Sequence, residues 1–292
     1  MSKFKGTGVA IVTPFKEDRS VDYTALEKLI QHLITGGVNY LVVNGTTGES
    51  VTLTRQEKLD VLAFVIKTNN SRIPLVFGLG GNNTQDIIDC LNTYDFTGVD
   101  AILSVSPCYN KPSQEGIYQH YKAIAAICSL PIILYNVPAR TGSHMEAETV
   151  LRLANDCKNV IGVKEASGVI FNSMKIIRNK PEGFLVISGD DILNLPIIAS
   201  GGDGIISVIA NAFPKDYSEM VKAALIGDFK RAQQLHYKYF DMVHYMFVDG
   251  NPPGIKATLK ILGICGDTVR LPLVNVTSAT YQALEKLIKK IA

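Results

Sequence analysis

The sequence predicts an α/β protein, a (β/α)8 TIM barrel with a C-terminal helical extension. Three observations carry this. Short apolar runs rich in β-branched residues recur eight times, amphipathic stretches separate them, and no dinucleotide-type glycine fingerprint follows the first run. The runs are residues 8–13, 40–44, 75–78, 101–104, 132–136, 160–164, 184–188 and 204–208. Their spacing of about 20 to 35 residues is that of one βα unit. They are almost continuously apolar, as strands covered on both faces must be. Between them, Leu26, Leu29, Ile30 and Leu33, then Leu59, Leu62, Ala63 and Ile66, recur at three- and four-residue spacing and mark helix faces. An open doubly wound sheet is the alternative, but the first run leads into Thr13-Pro14-Phe15-Lys16-Glu17-Asp18, with no GxGxxG. Beyond residue 212 the strand signal stops. Segments 215–226, 229–248, 253–263 and 278–291 read as helices only, with a break at Asn251-Pro252-Pro253-Gly254. The expected division is a catalytic barrel over 1–212 and a helical region over 213–292.

A chain of 292 residues buries a core without disulfide or metal staples. Hydrophobic residues make up 47% and charged residues 19%, an ordinary soluble-enzyme balance. The net charge is +2 with no Lys/Arg block, which favours neither nucleic acid nor a membrane surface as partner. No apolar run reaches the ~18–20 residues of a membrane span. The start, Met1-Ser2-Lys3-Phe4-Lys5-Gly6, lacks a leader-like apolar stretch, so a cytoplasmic location is expected. The five cysteines and five histidines are scattered, without CxxC or HExxH, so no metal site is expected.

Barrel enzymes react at the C-terminal ends of their strands. After the second run comes Asn44-Gly45-Thr46-Thr47-Gly48-Glu49-Ser50. Its glycines let a ligand approach the backbone, and its hydroxyls and N–H groups suit a small carboxylate or phosphate, although a capped polar turn would read the same way. After the fourth run, Ser106-Pro107-Cys108-Tyr109-Asn110-Lys111-Pro112 is stiffened by two prolines. The fifth ends in Tyr135-Asn136-Val137-Pro138-Ala139-Arg140-Thr141-Gly142, which offers a proton-transfer group and a bidentate carboxylate grip. The sixth ends in Lys164-Glu165. Burial disfavours the ammonium form of a lysine at a barrel mouth, and a neutral amine attacks ketones. Pairing with Glu165, or simple solvation, would instead make this lysine structural. Its coincidence with Tyr135, Arg140 and the double-Thr loop favours Schiff-base chemistry on a keto acid.

These segments, with Gly201-Gly202-Asp203-Gly204 and Asn251-Pro252-Pro253-Gly254-Ile255-Lys256, resemble the motifs of the dihydrodipicolinate synthase family over essentially the whole chain. The resemblance implies condensation of pyruvate with L-aspartate 4-semialdehyde through a lysine Schiff base, in the diaminopimelate and lysine biosynthesis route, without cofactor. Lys164 resembles the covalent lysine and Tyr135 the proton-transfer residue. Thr46 and Tyr109 resemble the rest of a hydroxyl relay, with Tyr109 lent by a neighbouring subunit of a homotetramer made of two dimers. Thr47 would hold the pyruvate carboxylate and Arg140 that of the semialdehyde. Main-chain carbonyls near Gly189 and Ile206 would meet the incoming substrate. A related pyruvate aldolase such as an N-acetylneuraminate lyase is the nearest alternative, disfavoured by Thr47 and Arg140. A catalytically silent barrel is disfavoured because every relay residue is present. In lysine-inhibited members an allosteric site matches Ser50, Val51, Arg55, Lys58, Asn82, Asp86 and Cys108. Arg55 and Lys58 bring positive charge near a cationic effector, so weak or absent inhibition by lysine is expected.

Overall fold

The computed structural model describes residues 3–291. Strands β1 (Gly6–Ala10), β2 (Tyr40–Val43), β3 (Leu75–Gly78), β4 (Ala101–Val105), β5 (Ile132–Asn136), β6 (Val160–Glu165), β7 (Leu185–Ser188) and β8 (Gly204–Ser207) pair in parallel and in chain order, and β8 closes on β1. Between strands run α1 (Tyr23–Thr35), α2 (Arg55–Asn69), α3 (Thr84–Thr93), α4 (Gln114–Ile127), the single turn α5 (Pro138–Thr141), α6 (Ala147–Asp156), α7 (Ile170–Asn179) and α8 (Asn194–Ala199). After β8 come α9 (Pro214–Leu225), α10 (Phe229–Lys238), α11 (Phe240–Val248), α12 (Pro253–Ile261) and α13 (Ser278–Ile291). Local sequence starts several of these helices. Asp22, Asn83, Ser113 and Asp228 accept hydrogen bonds from first-turn N–H groups, and Thr54 with Glu57 forms a full capping box on α2.

The barrel interior is filled by inward residues that include Tyr40, Val42, Val76, Leu103, Ile133, Leu185 and Ile187. Tyr40 takes the space that a side chain at Gly8 would need, and Phe4 packs edge-on against its ring. Outside the barrel, one continuous apolar core joins β1 and α1 to Met242, Met246, Ile255 and Leu259 of the C-terminal helices.

The structure corrects two sequence expectations. The first strand is Gly6–Ala10 rather than residues 8–13. Ile11 and Val12 stay buried, but at Val12 the ladder is replaced by a side chain: Asn211 Oδ1 accepts from Val12 N at 3.2 Å, and Asn211 Nδ2 donates to Ala10 O at 2.9 Å. Burial therefore outlasts the strand. The helix expected over 229–248 is two helices, broken at Tyr239, whose ring lies against Phe213 and Tyr217 and whose hydroxyl donates to Asp216 at 2.6 Å. After the barrel strands, α9 packs on β1, α8 and α1, the eighth place in the helix ring.

In α12, Gly254 passes so close to α11 that a Cβ there would lie 2.0 Å from Met246 O. The obstacle is backbone and cannot rotate away. Gly254→Ala should therefore cost about 1–3 kcal/mol or more through overpacking, read as a lower midpoint in thermal unfolding.

Candidate active site

Lys164 and Tyr135 are register partners on β6 and β5. Both are buried, at 5% and 7% exposure, and the Lys164 Nζ lies 4.2 Å from the centre of the Tyr135 ring. The adjacent carboxylate does not neutralise this lysine. Glu165 points to the other side of the strand, where it accepts from Asn136 Nδ2 at 3.0 Å, Asn172 Nδ2 at 2.8 Å and Ser167 N at 2.8 Å. Among the described residues Lys164 has no ion-pair partner.

The Thr46–Thr47 turn follows β2. It is closed by Gly48 N to Gly45 O at 3.1 Å and Glu49 N to Thr46 O at 3.0 Å, and Thr13 Oγ1 pins Gly48 O at 2.7 Å. Thr47 is buried, and its hydroxyl oxygen accepts from Asn251 Nδ2 at 3.0 Å. Arg140 stands on α5 as an exposed residue, and its Nη2 donates to Asn251 O at 3.4 Å. Gly189 follows β7 and is fixed by its N–H to Glu165 O at 2.8 Å. Lys164, Tyr135, Thr46, Thr47, Arg140 and Gly189 share a cleft of about 700 Å³. An amine, a phenol, two hydroxyls and a guanidinium thus converge where the amine could replace the carbonyl oxygen of a keto acid, that oxygen leaving as water.

Two residues fall elsewhere. Ile206 is buried in the barrel interior, and Val208 is the nearby residue that reaches the cleft wall. Tyr109 does not line this cleft. It is 89% exposed, at a backbone φ of +70°, on a loop tied to α5 by Tyr109 N to Thr141 O at 3.3 Å.

Sequence reasoning left other cleft residues without a role. Phe240, His244 and Phe247 project from one face of α11 into the wall. Their i, i+4, i+7 spacing is visible in the sequence, but a helix face of this kind ordinarily signals core. Asn251 touches both Thr47 and Arg140, and its Oδ1 is buried without a partner among the described residues. Asp191 accepts from Val208 N and Ile209 N at 2.9 and 3.0 Å, and burial holds its carboxyl above the usual range. Among the described residues no cluster of His, Cys, Asp or Glu could hold a metal ion, and no helix is long and apolar enough to cross a membrane.

The model of the dihydrodipicolinate synthetase family matches residues 3–291. The chain belongs to that family. A 4-hydroxy-tetrahydrodipicolinate synthase from Flavobacterium psychrophilum is 52% identical over 292 residues, covering 100% of both chains. A dihydrodipicolinate synthase from Thermotoga maritima superposes with a TM-score of 0.97 at 36% identity, covering 99% of each chain. A chloride-inhibited dihydrodipicolinate synthase from Acinetobacter baumannii, complexed with pyruvate, gives 0.95 at 39% identity and 98% of each chain.

In this member of the dihydrodipicolinate synthetase family a second cavity, of about 310 Å³, meets the first at Thr46, Thr47, Tyr135 and Lys164. Ser50, Val51, Lys58, Asn82 and Asp86 line it. Arg55 and Cys108 do not. The Arg55 guanidinium is drawn aside by Thr93 Oγ1 at 2.6 Å and lies 4.9 Å from the centre of the Tyr94 ring.

Gly189 leaves room for the lysine. A Cβ there would lie 2.7 Å from Lys164 Cε and 2.8 Å from Ala166 Cβ. Gly189→Ala should push the lysine off its position and lower kcat/KM by about tenfold or more, with a smaller effect on the thermal midpoint. Unchanged kinetics would show that Lys164 accommodates the methyl.

Proposed function

We propose that this protein condenses pyruvate with L-aspartate 4-semialdehyde to 4-hydroxy-tetrahydrodipicolinate, a step of diaminopimelate and lysine biosynthesis, in the cytoplasm. The observation that carries the reading is the buried, carboxylate-free amine of Lys164 beside Tyr135, in a cleft that Thr47 and Arg140 also line. The names of the relatives support the same substrates.

The chemistry follows from the amine. Lys164 Nζ adds to the ketone carbon of pyruvate, and the carbinolamine loses water to give an iminium. The iminium nitrogen then acts as electron sink while a methyl proton leaves, forming an enamine. Tyr135 stands where it can carry these protons. The enamine carbon bonds to the aldehyde carbon of the second substrate, whose oxygen takes a proton. The substrate's own amine then attacks the iminium carbon, expels Lys164 and closes the ring. The Thr46–Thr47 turn suits the pyruvate carboxylate, and Arg140 suits that of the semialdehyde, because a guanidinium fork matches two oxygens. Borohydride reduction with pyruvate should label the Lys164 peptide. Label elsewhere, or none, would overturn the assignment.

The assembly reading is a homotetramer of two dimers in which Tyr109 serves the neighbouring site. Its exposure and its absence from its own cleft support this. Mixing inactive Tyr109→Phe and Lys164→Ala proteins under subunit exchange should restore part of the activity. No recovery would place the relay within one chain.

Inhibition by L-lysine should be weak, because Lys58 adds positive charge to the second cavity. A like-charge contact at about 4 Å costs on the order of 4 kcal/mol at an effective dielectric near 20, before screening and rearrangement. Activity titrated with L-lysine at subsaturating pyruvate reads this out. Half-inhibition below about 1 mM, roughly 4 kcal/mol of binding, would contradict it.

A further inference from the structure

Glu49 and Lys256 form an ion pair with both side chains wholly buried, Nζ to Oε1 at 2.5 Å. Neither has a place in the chemistry above. The remaining polar atoms of the pair are satisfied: Lys256 Nζ also donates to Thr268 O at 2.9 Å, and Glu49 Oε2 accepts from Arg270 N at 3.0 Å. The ammonium lies 4.1 Å from the centre of the Phe15 ring. Burial pushes the Lys256 amine down from its ordinary range, and the Glu49 carboxylate opposes this. A well-packed apolar pair would often hold a fold together as well or better, so the placement of the charges asks for a reason other than bulk stability.

That placement is specific. Glu49 lies two residues beyond Thr47 in the same turn, in the left-handed region at φ +53°. A non-glycine residue persists there only when its surroundings over-determine it. Lys256 lies in α12, five residues beyond Asn251. The C-terminal segment therefore grips one short turn at two points: Asn251 holds the Thr47 hydroxyl, and Lys256 holds the Glu49 carboxylate.

We propose that Glu49 and Lys256 are positioning residues that set the pose of the Thr46–Thr47 turn, so that the grip on the pyruvate carboxylate depends on the C-terminal helices. This rests on the function proposed above. The variants E49Q and K256M, and E49Q/K256M together, test it through separate KM values for pyruvate and aldehyde, kcat, thermal midpoints and borohydride trapping. Each single variant should raise the pyruvate KM about tenfold and leave the aldehyde KM and kcat within about twofold. The double variant leaves no orphan charge, so it should regain thermal stability while its pyruvate KM stays high. A pyruvate KM that stays within twofold of wild type, or that recovers in step with the thermal midpoint, would reduce the pair to a structural element. If K256M does not accumulate folded, the two KM values of E49Q decide. Wild-type protein that takes no pyruvate label at Lys164 overturns the underlying function; a labelled wild type with unmoved variants overturns only the role of the pair.

Discussion

Everything at the cleft depends on one irregularity in the pairing of β5 with β6. Ile132 pairs with Val160, yet Ile133 pairs with Gly162, so Ile161 is an extra residue in the ladder. Side chains on a strand alternate between faces, and a slip of one residue exchanges the two sets. With an even ladder Tyr135 would stand beside Val163, and Lys164 beside Asn136. The bulge instead pairs Tyr135 with Lys164 and Asn136 with Glu165. The amine and phenol then meet inside, while the carboxylate is bound by amides outside. Gly162 accommodates the close approach of β7, since a Cβ there would lie 2.8 Å from Leu185 O.

The C-terminal helices belong to the same machine. Their buried residues merge with the core around β1 and α1, and α11 supplies a wall of the cleft. Asn251, in the turn between α11 and α12, contacts both Thr47, which follows β2, and Arg140, which follows β5. A barrel alone would carry Lys164 and Tyr135 but would leave the Thr46–Thr47 turn incompletely braced.

The sequence showed much of this because its signals were of the strong kind. Eight apolar runs at βα spacing left little choice of topology, and the motifs at their ends placed Lys164, Tyr135, Thr46, Thr47, Arg140 and Gly189 together. What stayed hidden were relations between distant segments. Apolarity extended past β1 because Asn211, some two hundred residues away, takes over the ladder. The α10–α11 break depends on the contact of Tyr239 with Asp216. Arg55 and Lys58 look alike as cations on α2, yet one is turned away by Thr93 and Tyr94 and the other faces the second cavity. No local pattern distinguishes them. The α11 face was legible as a helix stripe but not as a wall of the cleft.

The shared core has a consequence for how the protein is made. Synthesis proceeds from the N-terminus, and early segments begin to fold while later ones are still being added. A chain extended through β8 already carries the lysine, the tyrosine, the arginine and both threonines. It still lacks Asn251, Lys256 and the α11 wall, and the core is completed only with Leu284 in α13. Lys164 and Tyr135 thus leave the ribosome well before Asn251 and Lys256, and a partly made chain carries them without the segment that braces the Thr46–Thr47 turn.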